Sequence, residues 1–474
     1  MQTNKNIKLL VGLALSVSFM TSCKKEKLSP IPQTVLSDAV AFATVDRVSQ
    51  QVYGIYSAVK SGNFLGGRML VYQDVRGEDW LNITGNGVTA VGVWNFSINS
   101  GDNQTENTWS AGYAAINRAN VVLEGIDANA SVLPATQANQ FRGEARYCRA
   151  LCYFYLASLY GKKAFTTDAG ASEGLPLRLT ASTSANGADL KRSTMAEVFT
   201  QIITDLSFAE QNLPQSYTSG DTNVVRAHVN AAIALKTRVY LQMGRYADVI
   251  TEANKLVPAA APFAAASGVR HRLAPAFLTP FRTYPELELI FALPMNQSNG
   301  PGTQNGLALY HNAEFALNPS GILADTSWKA ADARKALVTA TTPVRYSKFN
   351  DDNNNFVPIS RYAEVMLNLA EALARQAAGT SVDARALSLL NTVRQRSMPG
   401  YTFAPATKDA LINAILIERR IELLGEGFRS LDVMRLGGTF AAKGAVAAVP
   451  PSAQAYVWPI PASELLYNKL MTQN

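Results

Sequence analysis

Apolar side chains return at three- and four-residue intervals over most of this chain, a spacing that predicts a mainly α-helical protein. A first helix is expected from a cap at Ser37 to about Lys60, with Ala41, Val45, Val48, Val52, Ile55 and Val59 facing inward. The same period recurs over residues 107–126, 135–160, 361–376 and 382–396. Thr194 and Glu197 have the spacing of a capping box and open a helix with Val198, Ile202, Leu206 and Ala209 inward, which stops at Leu213-Pro214. Residues 229–242 and 246–257, joined at Gly244, read as an antiparallel helix pair that looks like a degenerate tetratricopeptide unit. Two stretches lose the period. Residues 61–102 are rich in Gly, Asn and Asp and are expected to be irregular, and residues 258–359 mix Pro, Gly and Asn with short β-like runs such as 288–293.

Residues 410–437 combine an apolar stripe with dense charge. Leu411, Ile415, Ile421 and Leu424, with Leu416 and Ile417 beside them, share a helix with Glu418, Arg419, Arg420 and Glu422. Gly425 and Gly427 then break it, and residues 428–436 resume as a short helix. Charges this close to a buried stripe need partners from other segments. Glu364 and Glu371 pose the same demand two helices earlier, and Arg361, Arg375, Arg419 and Arg420 are the expected partners of Glu364, Glu371, Glu418 and Glu422.

At 474 residues and 47% hydrophobic content the chain can bury a large core. The net charge of +7 is scattered among acids rather than gathered into a basic stripe with interleaved aromatics, which argues against a nucleic-acid partner. Lys5 and Lys8 precede an apolar run over residues 9–20 that is too short to span a bilayer, the pattern of a signal peptide. The run ends Met20-Thr21-Ser22-Cys23, which resembles a bacterial lipobox with Met where Leu is usual. Cys23 is therefore the expected lipidation site, with a leader over 1–22, a lipidated tether over 23–36 and a single domain over 37–474. More than one acyl chain on Cys23 would anchor the protein stably at a membrane surface.

Signals of catalysis are weak. Cys148 and Cys152 lie on one helical face with no further Cys or His near, so they read as buried thiols rather than metal ligands. His228, His271 and His311 have no metal-ligand spacing, and neither a metal nor another cofactor is expected. The pairs Glu364/Glu371 and Glu418/Glu422 could suggest glycosidase carboxylates, but the neighbouring arginines favour a scaffold role. Gly170-Ala-Ser-Glu-Gly174 matches a nucleophile elbow in letters only, because no strand precedes it and Leu175-Pro176 follows.

Several motifs together resemble the SusD/RagB family of Bacteroidetes outer-membrane lipoproteins. They are Gly143-Glu-Ala-Arg-Tyr-Cys-Arg-Ala with Leu159-Tyr-Gly161, the run from Arg361-Tyr-Ala-Glu to Ala372, Leu390-Asn-Thr-Val-Arg-Gln-Arg396, Glu418-Arg-Arg-Ile-Glu-Leu423 with Glu426-Gly-Phe-Arg429, and Trp458-Pro-Ile-Pro461. The resemblance runs from Cys23 to Asn474 and implies a body of four tetratricopeptide-like units with loop-rich, short-β insertions forming a ligand face. It also implies a non-enzymatic, surface-exposed outer-membrane lipoprotein that captures glycan and delivers it to a SusC-like TonB-dependent transporter. A peptide-capturing relative, or a helical-repeat scaffold that contacts only proteins, is the alternative, and a glycoside hydrolase is a more distant one.

A sugar ring stacks its apolar C–H face on an aromatic side chain while its hydroxyls seek Asp and Asn. Trp109 and Trp458 fall at core positions, by helical spacing and by the tail motif respectively. Trp80, with Asp79 and Asn82 beside it, and Trp94, Tyr310 and Trp328 lie in the irregular segments and are the expected ligand contacts.

Overall fold

The computed structural model describes residues 38–182 and 189–474. The expected leader, the tether, Cys23 and the cap at Ser37 lie outside the described residues.

Helix α1, Val45–Val59, is capped by Thr44, whose side chain accepts the Arg47 backbone N–H, and it buries Val48, Val52, Ile55 and Val59. The expected continuous helix from residue 37 is instead broken. Asp38–Ala41 is a separate turn, and Val45, expected inward, starts the new helix and is exposed. Helix α2, Arg68–Val75, lies inside the stretch expected to be irregular, and all eight of its residues are buried. A helix enclosed on every side shows no amphipathic stripe, which is why the pattern missed it.

The long helices follow the predicted pattern closely. They are α3 (Asn103–Ala128), α4 (Ala135–Tyr160), α5 (Met195–Asn212), α6 (Val229–Gln242) and α7 (Tyr246–Ala253). After the insertion come α8 (Tyr362–Gln376), α9 (Ala384–Ser397), α10 (Lys408–Glu422) and α11 (Arg429–Arg435). The capping box at Thr194 and Glu197 forms with both of its hydrogen bonds. Gly244 turns α6 into α7 at a φ of +69°, a left-handed conformation that favours glycine. From α3 to α8 each helix packs on the next in sequence, α1 leans on α3, and α9 and α10 pack on α8 and on each other. That order of neighbours is a helical-repeat body.

The insertions add two small antiparallel sheets. β1 (Trp80–Asn82) pairs with β3 (Phe315–Leu317), and β2 (Leu289–Pro294) pairs with β4 (Phe356–Arg361) through a bulged register. The first pairing joins the two irregular stretches of sequence, and the second leads directly into α8. Cys148 and Cys152 are buried free thiols on α4, and burial raises the pKa of both. No helix among the described residues is long and apolar enough to cross a membrane.

Candidate functional site

The charges on α10 find the distant partners that burial demands. Glu422 accepts hydrogen bonds from Arg334 at 2.9 Å, Arg361 at 3.0 Å and Arg396. Glu418 is held by Arg334 at 2.8 Å and Arg394 at 2.5 Å. Arg361 also grips Glu426 at 2.6 and 2.7 Å and meets Glu288 at the start of β2. Lys348 closes the junction by donating to Glu426 at 2.5 Å and to the carbonyls of Glu422 and Leu424, while burial pulls its pKa down to about 8.

The partners differ in part from those expected. Arg361 does reach Glu422, and Arg375 reaches Glu371 at 2.8 Å. Glu364 is instead held by Arg238 on α6 at 2.6 Å, Arg419 pairs with Asp432 at 2.8 Å, and Arg420 pairs with Asp79 at 2.8 Å. Burial alone would raise Glu422 and Glu371. Arg396, Arg361 and Arg334 outweigh it at Glu422, and Arg435 and Arg375 at Glu371, so both carboxyls sit below the usual range. A proton-donating glycosidase carboxyl needs the opposite shift.

Four of the six expected ligand contacts are enclosed. Trp80 is 1% exposed and stacks on His311 at 4.7 Å, and Phe349 covers the same imidazole at 5.5 Å. Desolvation and the Lys348 charge lower the His311 pKa to about 3, so the ring is neutral in its aromatic stack. Asp79 accepts from Arg420 and, at 2.7 Å, from the backbone N–H of Ile322. Tyr310 is buried near Phe315 of β3, and Trp328 is buried edge-on to Tyr346 with the Lys335 ammonium 5.2 Å from its ring centre. These four residues offer no open face to a ligand in this structure: Trp80 and Asp79 are closed off by segments far away in sequence, and Tyr310 and Trp328 by neighbours within the same insertion. Asn82 and Trp94 stay half-buried at the surface. Asn82 accepts the Gly85 N–H at 2.8 Å, and the Trp94 indole donates to the Trp80 carbonyl at 2.8 Å.

Beyond Trp94 the chain enters an open cleft of about 590 Å³. One wall is the run Phe96, Ser97, Ile98, Asn99 and Ser100, and the other comes from the C-terminal tail, including Gln454, Val457, Pro459 and Gln473. Phe96 adopts a φ of +59°, and its ring packs on Phe440 at 5.3 Å. Asn99 accepts the Gly101 N–H at 2.9 Å, its carbonyl accepts from the Thr105 hydroxyl, and the Ser100 carbonyl accepts the Ala462 N–H at 2.8 Å. Both walls are therefore braced before any ligand arrives. The exposed Gln454 side chain makes no hydrogen bond among the described residues. None of the lining side chains is charged. Amides and hydroxyls beside apolar and aromatic surface suit a neutral, hydroxyl-rich ligand. Residues 96–100 fall within the expected binding stretch without having been singled out. The tail signalled only a family motif, and its approach to them is a long-range contact that local pattern does not carry.

Comparison with known proteins follows the same lines. Residues 68–241 match a family model described as starch-binding associating with outer membrane, and residues 326–474 match that of the SusD family. A crystal structure of a SusD superfamily protein from Bacteroides fragilis is 32% identical, with a TM-score of 0.82 over 91% of this chain and 100% of that one. SusD-like protein P2 of Formosa agariphila is 25% identical over 94% of each chain. A laminarin-binding SusD-like protein, 20% identical, has the same fold, with a TM-score of 0.70 over 91% of this chain and 99% of that one.

Proposed function

The chain belongs to the SusD family, and on that premise we propose that it is a non-catalytic glycan-binding protein of the outer membrane. In this reading a lipid on Cys23 holds the protein at the cell surface, and a SusC-like TonB-dependent transporter receives the captured glycan. The observation that carries the glycan reading is the pre-braced cleft between residues 96–100 and the tail, lined by no charged side chain and with the exposed Gln454 amide in its lining. Trp94 and Asn82, half-buried at the surface, are proposed as further contacts. The family description supports a carbohydrate ligand and an outer-membrane setting. The choice of glycan rests with the loop residues.

Affinity electrophoresis of the soluble mature protein against a panel of polysaccharides and oligosaccharides tests this reading. Retardation by at least one glycan without new reducing ends is expected. Released reducing ends would replace the reading with a hydrolase. Silence on every glycan, with a transporter co-purifying, would favour a protein-only or peptide-capturing scaffold. The anchor has its own test, since Cys23→Ala should lose membrane partition, and a variant that partitions like wild type removes the lipid.

A further inference from the structure

A second cleft, of about 250 Å³, shares no residue with the first and opens between α1, the short helix Gly220–Val225 and the end of β2. Its lining is of another kind. Tyr53 is 43% exposed, and the Arg226 guanidinium covers its ring at 5.1 Å. Arg226 is itself committed, donating to both oxygens of Glu144 at 2.5 and 2.9 Å, while Tyr56 donates to the same carboxylate at 2.7 Å. That ion pair cancels its own charge.

Lys60 does not. Its ammonium donates to the carbonyls of Pro294 at 2.8 Å and Asn299 at 3.0 Å and has no carboxylate partner among the described residues. An ammonium has three N–H donors, so one remains for a ligand. Partial burial lowers the Lys60 pKa, as expected of a charge only partly compensated. Ser57, Thr222 and Asn299 add hydroxyl and amide groups to the same lining.

We propose that this cleft binds an acidic saccharide, with a pyranose face against Tyr53, ring hydroxyls on Ser57, Thr222 and Asn299, and the anionic group on Lys60. An ammonium is a point charge without the planar fork that selects carboxylates, so a uronate carboxylate and a sulfate ester both satisfy it. The saccharide class rests on the glycan reading above, whereas the anionic group rests on Lys60 alone.

Titration calorimetry of the soluble mature protein, at low and moderate salt, tests it with an oligogalacturonide, a sulfated carrageenan oligosaccharide and neutral maltotriose. At least one acidic probe should bind at this cleft, more weakly as salt rises. Tyr53→Ala should weaken that binding about tenfold. Ser57→Glu places a carboxylate at an exposed position whose side chain makes no hydrogen bond among the described residues, and it should abolish acidic binding without lowering Tm. Lys60→Arg should retain it. Binding of one acidic probe and not the other identifies the anion. The proposal is overturned if neither acidic probe binds, or if Tyr53→Ala and Ser57→Glu bind as wild type does. Neutral glycan binding that survives such a result leaves the proposed function standing, while failure of every glycan removes both.

Discussion

At the junction around Glu422, carboxylates and guanidiniums from distant segments neutralise one another away from water, whereas the cleft beside Ser100 faces solvent and is lined by no charged side chain. The junction ties the β2–β4 insertion and the 332–334 turn to α9 and α10. Such a network adds little net energy over a well-packed apolar core, but losing one member strands the others in low dielectric. The cleft obeys a different rule. Its walls are fixed by backbone hydrogen bonds and by the side chains of Asn99 and Gln473, leaving the exposed Gln454 amide for exchange with a ligand. One region therefore holds shape and the other meets partners, and charge density alone would have pointed to the wrong one.

The sharpest way to break the comparison is to remove a charge from the junction. Arg361→Met leaves Glu288, Glu422 and Glu426 each short of a partner. A loss of about 3–5 kcal/mol is expected in chemical denaturation. A loss under about 1 kcal/mol, the range of surface pairs, would deny the junction its structural role. Gly427→Ala comes next. Gly427 has a φ of +82°, and an added Cβ would lie 2.9 Å from the Leu70 Cα on α2. Strain of about 1–3 kcal/mol should appear as a lower Tm.

Acidity separates the junction's members more finely. Burial raises Asp74 from 3.8 to about 7, against the hydrogen bonds it accepts from Gly427 and Arg429. Its protonated form favours the folded state, so this contribution is full below the unfolded value and is lost as pH rises toward 7. Glu422, Glu426 and Asp432 behave in the opposite sense. Their folded values are depressed, so their contribution is present above the unfolded values and is lost as pH falls through the folded ones. Asp74→Asn should therefore flatten the decline of Tm between about pH 4 and 7, and an unchanged slope would remove Asp74 as its source. The smallest stability effect belongs to the binding surface. Trp94→Ala should weaken glycan binding by about fivefold with little change in Tm. The reverse pattern would assign Trp94 to the core.

Much of the scaffold was legible: α5 buries the expected Val198, Ile202, Leu206 and Ala209 behind its capping box, and the observed bounds of α4 and α6 coincide with the expected ones. The need for distant partners around Glu418 and Glu422 followed from burial cost, although Arg334 and Arg394 could not be foreseen from local spacing. Helix α2 escaped notice because burial on every side erases periodicity. Trp80 and Trp328 illustrate the harder limit. A tryptophan in a Gly- and Asn-rich stretch looks the same whether it meets a sugar or a buried histidine, and only the long-range approach of His311 or Tyr346 decides. The cleft is likewise made by two segments at opposite ends of the sequence.

The most direct test is titration of a neutral glycan, selected by electrophoresis, into wild type and Gln454→Trp. The substitution puts an indole into the open cleft from an exposed position whose side chain makes no hydrogen bond among the described residues. Loss of binding at unchanged Tm is the predicted result. Equal affinity in the two proteins would contradict the assignment of the cleft as the glycan site.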